Sequence, residues 1–198
     1  GAEKSIAVLP LINMSNDPEQ DYFSDGIAEE IINSLAHLKD LKVASRTSTF
    51  QFKGKVSELH EIGEKLKVKT ILEGSVRKQG NKIRITVQLI NIEDGFHLWS
   101  ERYDRELDDI FAIQDEIASA ITKQLKVTLG IDEKAQITRI YTHNTEAYQL
   151  YLKGRYCWNK RTVMGIENSI RYFEEAIAID PGYALAWAGL SDAYNILS

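Results

Sequence analysis

Apolar positions change their period along this chain, and each period predicts a different element. Ser5-Ile-Ala-Val-Leu-Pro10 is an apolar run too short for a core helix and closed by a proline that cannot donate to a ladder, which predicts a buried parallel strand. After the polar Asn13-Met-Ser-Asn-Asp17, Pro18 suits a first helical turn with Asp17 as its cap. Ile27, Ile31, Leu35 and Leu38 then recur at helical spacing, with Glu29, Glu30 and Asn33 turned outward. Leu41-Lys-Val-Ala-Ser45 predicts a second short strand, followed by the polar Arg46-Thr-Ser-Thr49 and a loop around Gly54. Ser57 caps a second helix striped by Leu59, Ile62 and Leu66, with Lys65 and Lys67 where the dipole favours cations. Strand, helix, strand, helix with short connections predicts parallel strands joined by right-handed crossovers.

From Thr70 the period becomes alternating. Ile83, Ile85, Val87 and Leu89 point one way and Arg84, Thr86 and Gln88 the other. Gln79-Gly80-Asn81 and Glu93-Asp94-Gly95 supply hairpin turns, so three antiparallel strands are expected at 70–77, 82–91 and 96–104. Asp108 or Asp109 caps a third helix carrying Ile110, Ile113, Ile117, Ile121 and Leu125 on one face, and the domain, from residue 3, closes near residue 127. Residues 128–143 read as a linker with a short helix. Over 144–198 the pattern is purely helical: Tyr148, Tyr151 and Leu152 behind a cap at Asn144 or Thr145, then Ile166, Ile170, Phe173 and Ile177, a break at Asp180-Pro181-Gly182, and a stripe of Trp187, Leu190 and Tyr194.

Composition narrows the function. A chain of 198 residues suits one full domain plus a smaller module. With 24 Lys+Arg against 29 Asp+Glu the net charge is −5, which supplies no footprint for a phosphate backbone, so no direct nucleic-acid partner is expected. Cys157 is the one cysteine, so neither an intrachain disulfide nor a paired-thiol metal site is available. No stretch approaches the roughly 18 apolar residues of a membrane span, so no membrane insertion by this segment is expected. Gly1-Ala2 reads as a cloning remnant, and a chain that stops inside a helical repeat reads as a fragment.

The sequence carries no catalytic constellation. His37, His60, His97 and His143 lack ligand spacing; His60-Glu61 resembles half of a zinc-protease motif, but Glu64 stands where its second histidine belongs. Gly54-Lys55 lacks the upstream glycine of a phosphate loop, and Cys157 beside Trp158 suits a small buried hydrophobe. The acid pairs Glu29-Glu30 and Asp108-Asp109 are explained by a helix outer face and a helix start. No enzyme, cofactor or metal is expected. One binding candidate is the crevice at the carboxyl ends of the parallel strands, lined by Ser15, Asn16, Arg46, Thr47 and Ser48, where Arg46 would clamp an anion. The alternative is that these groups only cap helices and satisfy loop carbonyls.

The last segment resembles the tetratricopeptide repeat. Trp187, Leu190 and Tyr194 fit its first helix with Ser191 in the place of a small residue, and Ser169, Phe173, Ala176 and Pro181 fit the second helix of the preceding repeat. Gly154 is matched to Ser191, which gives the first repeat a longer internal loop near Lys160-Arg-Thr-Val-Met-Gly165. The resemblance implies one and a half repeats and a concave face carrying Tyr148, Tyr151, Arg155 and Trp158 from one helix and Leu185, Ala188, Asp192 and Asn195 from another, suited to a peptide. Packing against neighbouring structure is the other use of the same aromatics.

The front segment resembles the TolB N-terminal-like domain of multidomain bacterial signalling proteins. The residues that carry this are Ser5-Ile-Ala-Val-Leu-Pro10, Asp17-Pro-Glu-Gln-Asp-Tyr-Phe-Ser-Asp-Gly26, Leu72-Glu-Gly-Ser-Val-Arg77, Leu98-Trp-Ser-Glu-Arg-Tyr-Asp104 and Ile110-Phe-Ala-Ile-Gln-Asp-Glu-Ile117. The resemblance implies an α/β fold, a three-layer α/β/α domain with a mixed five-stranded sheet ahead of the all-α helical array. It also implies an effector elsewhere in the full-length protein, either a cyclase, a kinase or a winged-helix domain, whose signatures this chain lacks. The expected role is a non-catalytic sensor or scaffold that binds a protein or peptide through the repeat groove. The rival is a regulatory domain binding a small anionic ligand in the strand-end crevice. Homodimerisation stays open. An upstream anchor would put the segment on the periplasmic side of the inner membrane; a soluble effector would keep it cytoplasmic.

Overall fold

The computed structural model describes residues 4–137 and 139–197. Gly1, Ala2 and the expected domain start at residue 3 lie outside the described residues, as does Ser198. The chain divides into two compact units with the boundary between Arg139 and Ile140.

The first unit runs β1 (Ser5–Val8), β2 (Ile12–Asn13), α1 (Asp21–Ala36), β3 (Lys42–Val43), α2 (Arg46–Thr49), α3 (Leu59–Leu66), β4 (Thr70–Gln79), β5 (Lys82–Asn91), β6 (His97–Glu106), α4 (Ile110–Gln124) and α5 (Ile131–Ile137). The strand order is β3-β1-β4-β5-β6, with β1 parallel to both neighbours and β4, β5 and β6 antiparallel. The sheet is thus mixed, and its five-strand path gains the two-residue β2, parallel to β4 at Ser75 and Val76. Two residues carry no readable period, so β2 has no sequence signal.

Register decides the faces. Leu72 and Val76 of β4 pair with Leu89 and Ile85 of β5 and share one buried face with Val87, Ile83 and Tyr103. Ile27, Ile31 and Leu35 of α1 and Ile110, Ile113, Ile117 and Ile121 of α4 are likewise buried, as their spacing predicts. The opposite face is only partly roofed. There Ala7, Ile71 and Ile92 form an apolar cluster with Ile62 of α3 and Val68, with Phe52, Leu59 and Leu66 packed against it. Further along, Glu73, Ser75, Thr86 and Gln88 on that face stay half-buried. The three layers are therefore complete at one end of the sheet only.

Three local expectations are corrected. Arg46-Thr-Ser-Thr49 is a short helix, because Ser45 Oγ accepts from the Ser48 N–H at 3.3 Å and caps it. Glu58, not Ser57, stands at the α3 N-cap. Glu29 is buried at 6% exposure instead of turned outward, because it lies on the same face of α1 as Asp25 and meets Arg46. Within 128–143, α5 is tied to its own unit: Glu133 accepts from the backbone N–H of Lys39 at 2.9 Å and of Gly130 at 2.8 Å, and Ile137 is buried.

The second unit holds α6 (Thr145–Asn159), α7 (Val163–Ile179) and α8 (Ala184–Leu197). Asn144 caps α6 through the Ala147 N–H, and Thr162 caps α7 through the Gly165 N–H. Phe173 of α7 is fully buried between glycines: a Cβ on Gly154 would lie 2.5 Å from its ring and one on Gly189 2.6 Å. The close-approach residue of α8 is thus Gly189, and Ser191 is exposed. The stripe is corrected with it. Ala186, Gly189 and Ala193 are the buried positions of α8, while Trp187 and Tyr194 are about half exposed. Small residues let the helices approach, and the large ones stay outside.

Candidate functional site

The groove of the first unit begins where β1 stops. Leu9 still donates its N–H to the Leu72 carbonyl at 2.9 Å, but Pro10 has none to give, and the chain swings out before β2 rejoins β4. The swing leaves a cavity of about 810 Å³ floored by Glu73, Gly74, Ser75, Thr86 and Gln88 of the unroofed face. Leu9 to Met14, the start of α1 and the segment from Phe52 to Ser57 wall it. Open α/β sheets place ligands at this position, beyond the carboxyl end of a parallel strand.

Three of its polar lining groups, Asp21, Ser24 and Asp25, come from α1, and Glu29 continues the same helix face beyond the cavity. Asp21, Asp25 and Glu29 sit at i, i+4 and i+8 and present three carboxylates along one helix face. Lys53 donates to both carboxylate oxygens of Asp25 at 2.8 and 2.7 Å and lies 3.6 Å from Asp21. Arg46 Nε stands 2.9 Å from Glu29 Oε2, and its guanidinium lies 3.9 Å from the Phe50 ring centroid. Burial pushes the Asp25 carboxyl above its ordinary range, while the hydrogen bond and charge of Lys53 pull the other way. Asn13 ties the loop to the helix: its amide donates to Asp21 Oδ1 at 2.8 Å and to the Asp17 carbonyl at 2.9 Å, and its oxygen accepts from the Ser15 N–H. Ser24, fully buried on α1, lines the groove, and its hydroxyl has no hydrogen-bond partner among the described residues.

The cavity lies beyond the carboxyl end of β1, and none of the five residues expected to line a crevice there lines it. Ser15 is buried and its hydroxyl accepts from the Lys78 N–H at 2.8 Å. Asn16 is an exposed turn residue at φ 43°, and Thr47 is exposed on α2. The Ser48 hydroxyl lies 3.0 Å from that of Ser45 at the α2 cap. Arg46 is committed to Glu29 and Phe50, so its role as an anion clamp is corrected to that of an ion-pair partner. What sequence reasoning missed is the set Asp21, Ser24, Asp25 and Lys53. The recurrence of carboxylates every four residues on α1 was the available signal. Among the described residues no group of three or more His, Cys, Asp or Glu could hold a metal ion, and no helix is long and apolar enough to cross a membrane.

In the second unit the eight expected groove residues separate into three sets. Tyr148 and Tyr151 are interior, the latter 6.0 Å from Phe173 and 5.2 Å from Tyr183 between ring centroids, so their expected contact with a peptide is replaced by core packing. Trp158 is half-buried between the guanidiniums of Arg155 at 4.6 Å and Arg161 at 3.6 Å. Leu185, Ala188, Asp192 and Asn195 recur at helical spacing along one face of α8, with Leu185 half-buried and the other three exposed.

Known proteins place this chain in a wider setting. A protein of Rhizobium meliloti (strain 1021) named "Putative adenylate cyclase 3" is 43% identical over 190 residues, which are 96% of this chain and 32% of that protein. The chain thus spans about a third of the length of that relative. Among solved structures, TolB from Acinetobacter baumannii is similar with a TM-score of 0.47 at 13% identity, over 66% of this chain and 30% of TolB. The LpoB C-terminal domain from Escherichia coli is similar with a TM-score of 0.41 at 15% identity, over 52% of this chain and 83% of that domain. The family described as HilA/YgeH-like transcriptional regulator, second domain, matches residues 2–120. Because that match takes in more than half of its residues, the chain belongs to the HilA/YgeH-like regulator family, as a member of its second-domain group.

Proposed function

We propose that this chain is a regulatory segment of a longer signalling protein, and that it works by binding instead of turnover. The observation that carries this reading is the family match over residues 2–120, since the family is that of a regulator's second domain. The cyclase-named relative supports it: the identity leaves two thirds of that protein for the chemistry its name states. In this reading the helices of the second unit are tetratricopeptide repeats. Leu185, Ala188, Asp192 and Asn195 face a protein partner, and the first unit passes the bound state to an effector. The test is made in the longer protein. Excising the segment that corresponds to residues 4–197 leaves the effector's basal output and removes its response to signal; loss of basal output with the effector still folded contradicts the proposal.

A second reading has one observation in its favour, the buried Ser24 hydroxyl in a cavity large enough for a small molecule. In it, the groove takes a ligand whose polar group bonds Ser24. A metabolite panel that raises the melting temperature of the wild type and not of Ser24→Ala supports this; equal shifts, or none, reject it.

A further inference from the structure

The sheet ends on β6, and among the described residues no strand pairs with its outer edge. Which backbone groups face outward follows from the register. Leu107 donates its N–H to the Asn81 carbonyl at 2.8 Å, in step with the ladder that pairs Lys82 with Glu106 and Ile85 with Tyr103. Bonded and non-bonded pairs alternate along an antiparallel ladder. The odd-numbered residues here therefore bond β5, and the N–H and C=O groups of Ser100, Arg102, Asp104 and Glu106 point away from the sheet. An added strand has to meet the even-numbered residues.

The side chains of this edge carry charges that reverse sign about Tyr103: Glu101 and Arg102 before it, Asp104 and Arg105 after it. A pattern antisymmetric about one point is complementary to itself when read antiparallel. Setting β6 against the β6 of a second copy, with the two-fold at Tyr103, brings Arg102 opposite the partner's Asp104 and Glu101 opposite the partner's Arg105, and each pair occurs twice. Moving the two-fold to Arg102 or to Asp104 keeps the outward groups in step but opposes like charges at the centre. Charge on an edge strand ordinarily deters pairing; here it deters the neighbouring registers and admits this one. The side chains are also held in place beforehand. Arg105 grips Glu116 through two hydrogen bonds of 2.8 and 3.0 Å, and Asp104 is bound by Arg84 and, at 3.1 Å, by Arg102.

We propose that the outer edge of β6 is a homodimer interface, in which two copies join their sheets antiparallel about Tyr103. Sedimentation of the whole 198-residue chain up to millimolar concentration tests this. The wild type forms a dimer. Arg102→Asp alone and Asp104→Arg alone each weaken it by about tenfold or more, because each opposes like charges across the two-fold. An equimolar mixture of the two restores wild-type affinity as a heterodimer, in which every opposed pair is complementary again. Ser100→Pro removes an outward N–H that bonds nothing in β5, so it keeps the circular dichroism of the wild type and abolishes the dimer. A wild type that stays monomeric, a mixture no tighter than either variant alone, or a folded Ser100→Pro that dimerises like the wild type would overturn the proposal.

Discussion

The ring of Phe173 sets how closely three helices approach, and two glycines make room for it. A Cβ at Gly154 or Gly189 would come within 2.6 Å of the ring, well inside van der Waals contact, and Phe173 is fully buried. Gly154→Ala and Gly189→Ala are each expected to destabilise the second unit by about 1–3 kcal/mol, whereas Ser191→Ala stays within about 0.5 kcal/mol. Thermal unfolding of the three variants checks the ranking. Gly154 and Phe173 were legible in the sequence because a glycine and a phenylalanine at repeat spacing have few other uses. The repeat signature puts its small residue after the leucine, at Ser191; in this helix Leu190 is half-buried, and the contact falls one residue before it, at Gly189.

Asp25 makes a second residue-scale prediction. Its folded-state pKa lies above its ordinary value of 3.8 because burial disfavours the charged form. A carboxyl raised in this way keeps its proton in the folded state at a pH where the unfolded chain has lost it. Its contribution to stability is therefore complete below the unfolded value and is lost as pH climbs through the folded one. The unfolding free energy of the wild type minus that of Asp25→Asn should fall as pH rises across this window. A flat difference in urea titrations at several pH values would show that Lys53 fully offsets the burial.

Among the elements, those with a sustained period were legible and those set by a few contacts were not. β5 occupies the expected 82–91, because ten alternating residues between two turn signals leave little freedom. α2, with four residues, is held by one cap, and β2, with two, by its pairing to β4. The groove shows the same division. Its place beyond β1 follows from strand order, while its lining depends on where α3 stops covering the sheet and on the charge ladder of α1 meeting Lys53 and Arg46. Long-range pairings of that kind leave no local pattern. At the end of α3, Lys67 occupies the left-handed region at φ 55° and ψ 45°, a conformation that glycine adopts without the Cβ penalty. Lys67→Gly should stabilise the first unit by about 1 kcal/mol, read as a higher midpoint in denaturant. A lower midpoint would mean that the lysine side chain contributes more than its backbone costs.

At the scale of the whole molecule, apolar surface goes into two cores, and the polar machinery that remains is arranged for holding. Asp21, Asp25 and Glu29 of α1 are matched by Lys53 and Arg46, the carboxylates beside β6 by Arg84, Arg102 and Arg105, and Gly154 and Gly189 serve close packing. The regulator family over the first unit agrees with that arrangement. In the proposed function this polypeptide recognises and does not react. The most direct test of that function is ATP turnover by the purified chain with magnesium, because the 43% identical relative bears the name of a cyclase. The account predicts that cyclic AMP stays at the level of a protein-free blank at every protein concentration. Product that rises in proportion to protein, and that Asp25→Asn abolishes without unfolding the chain, would contradict it.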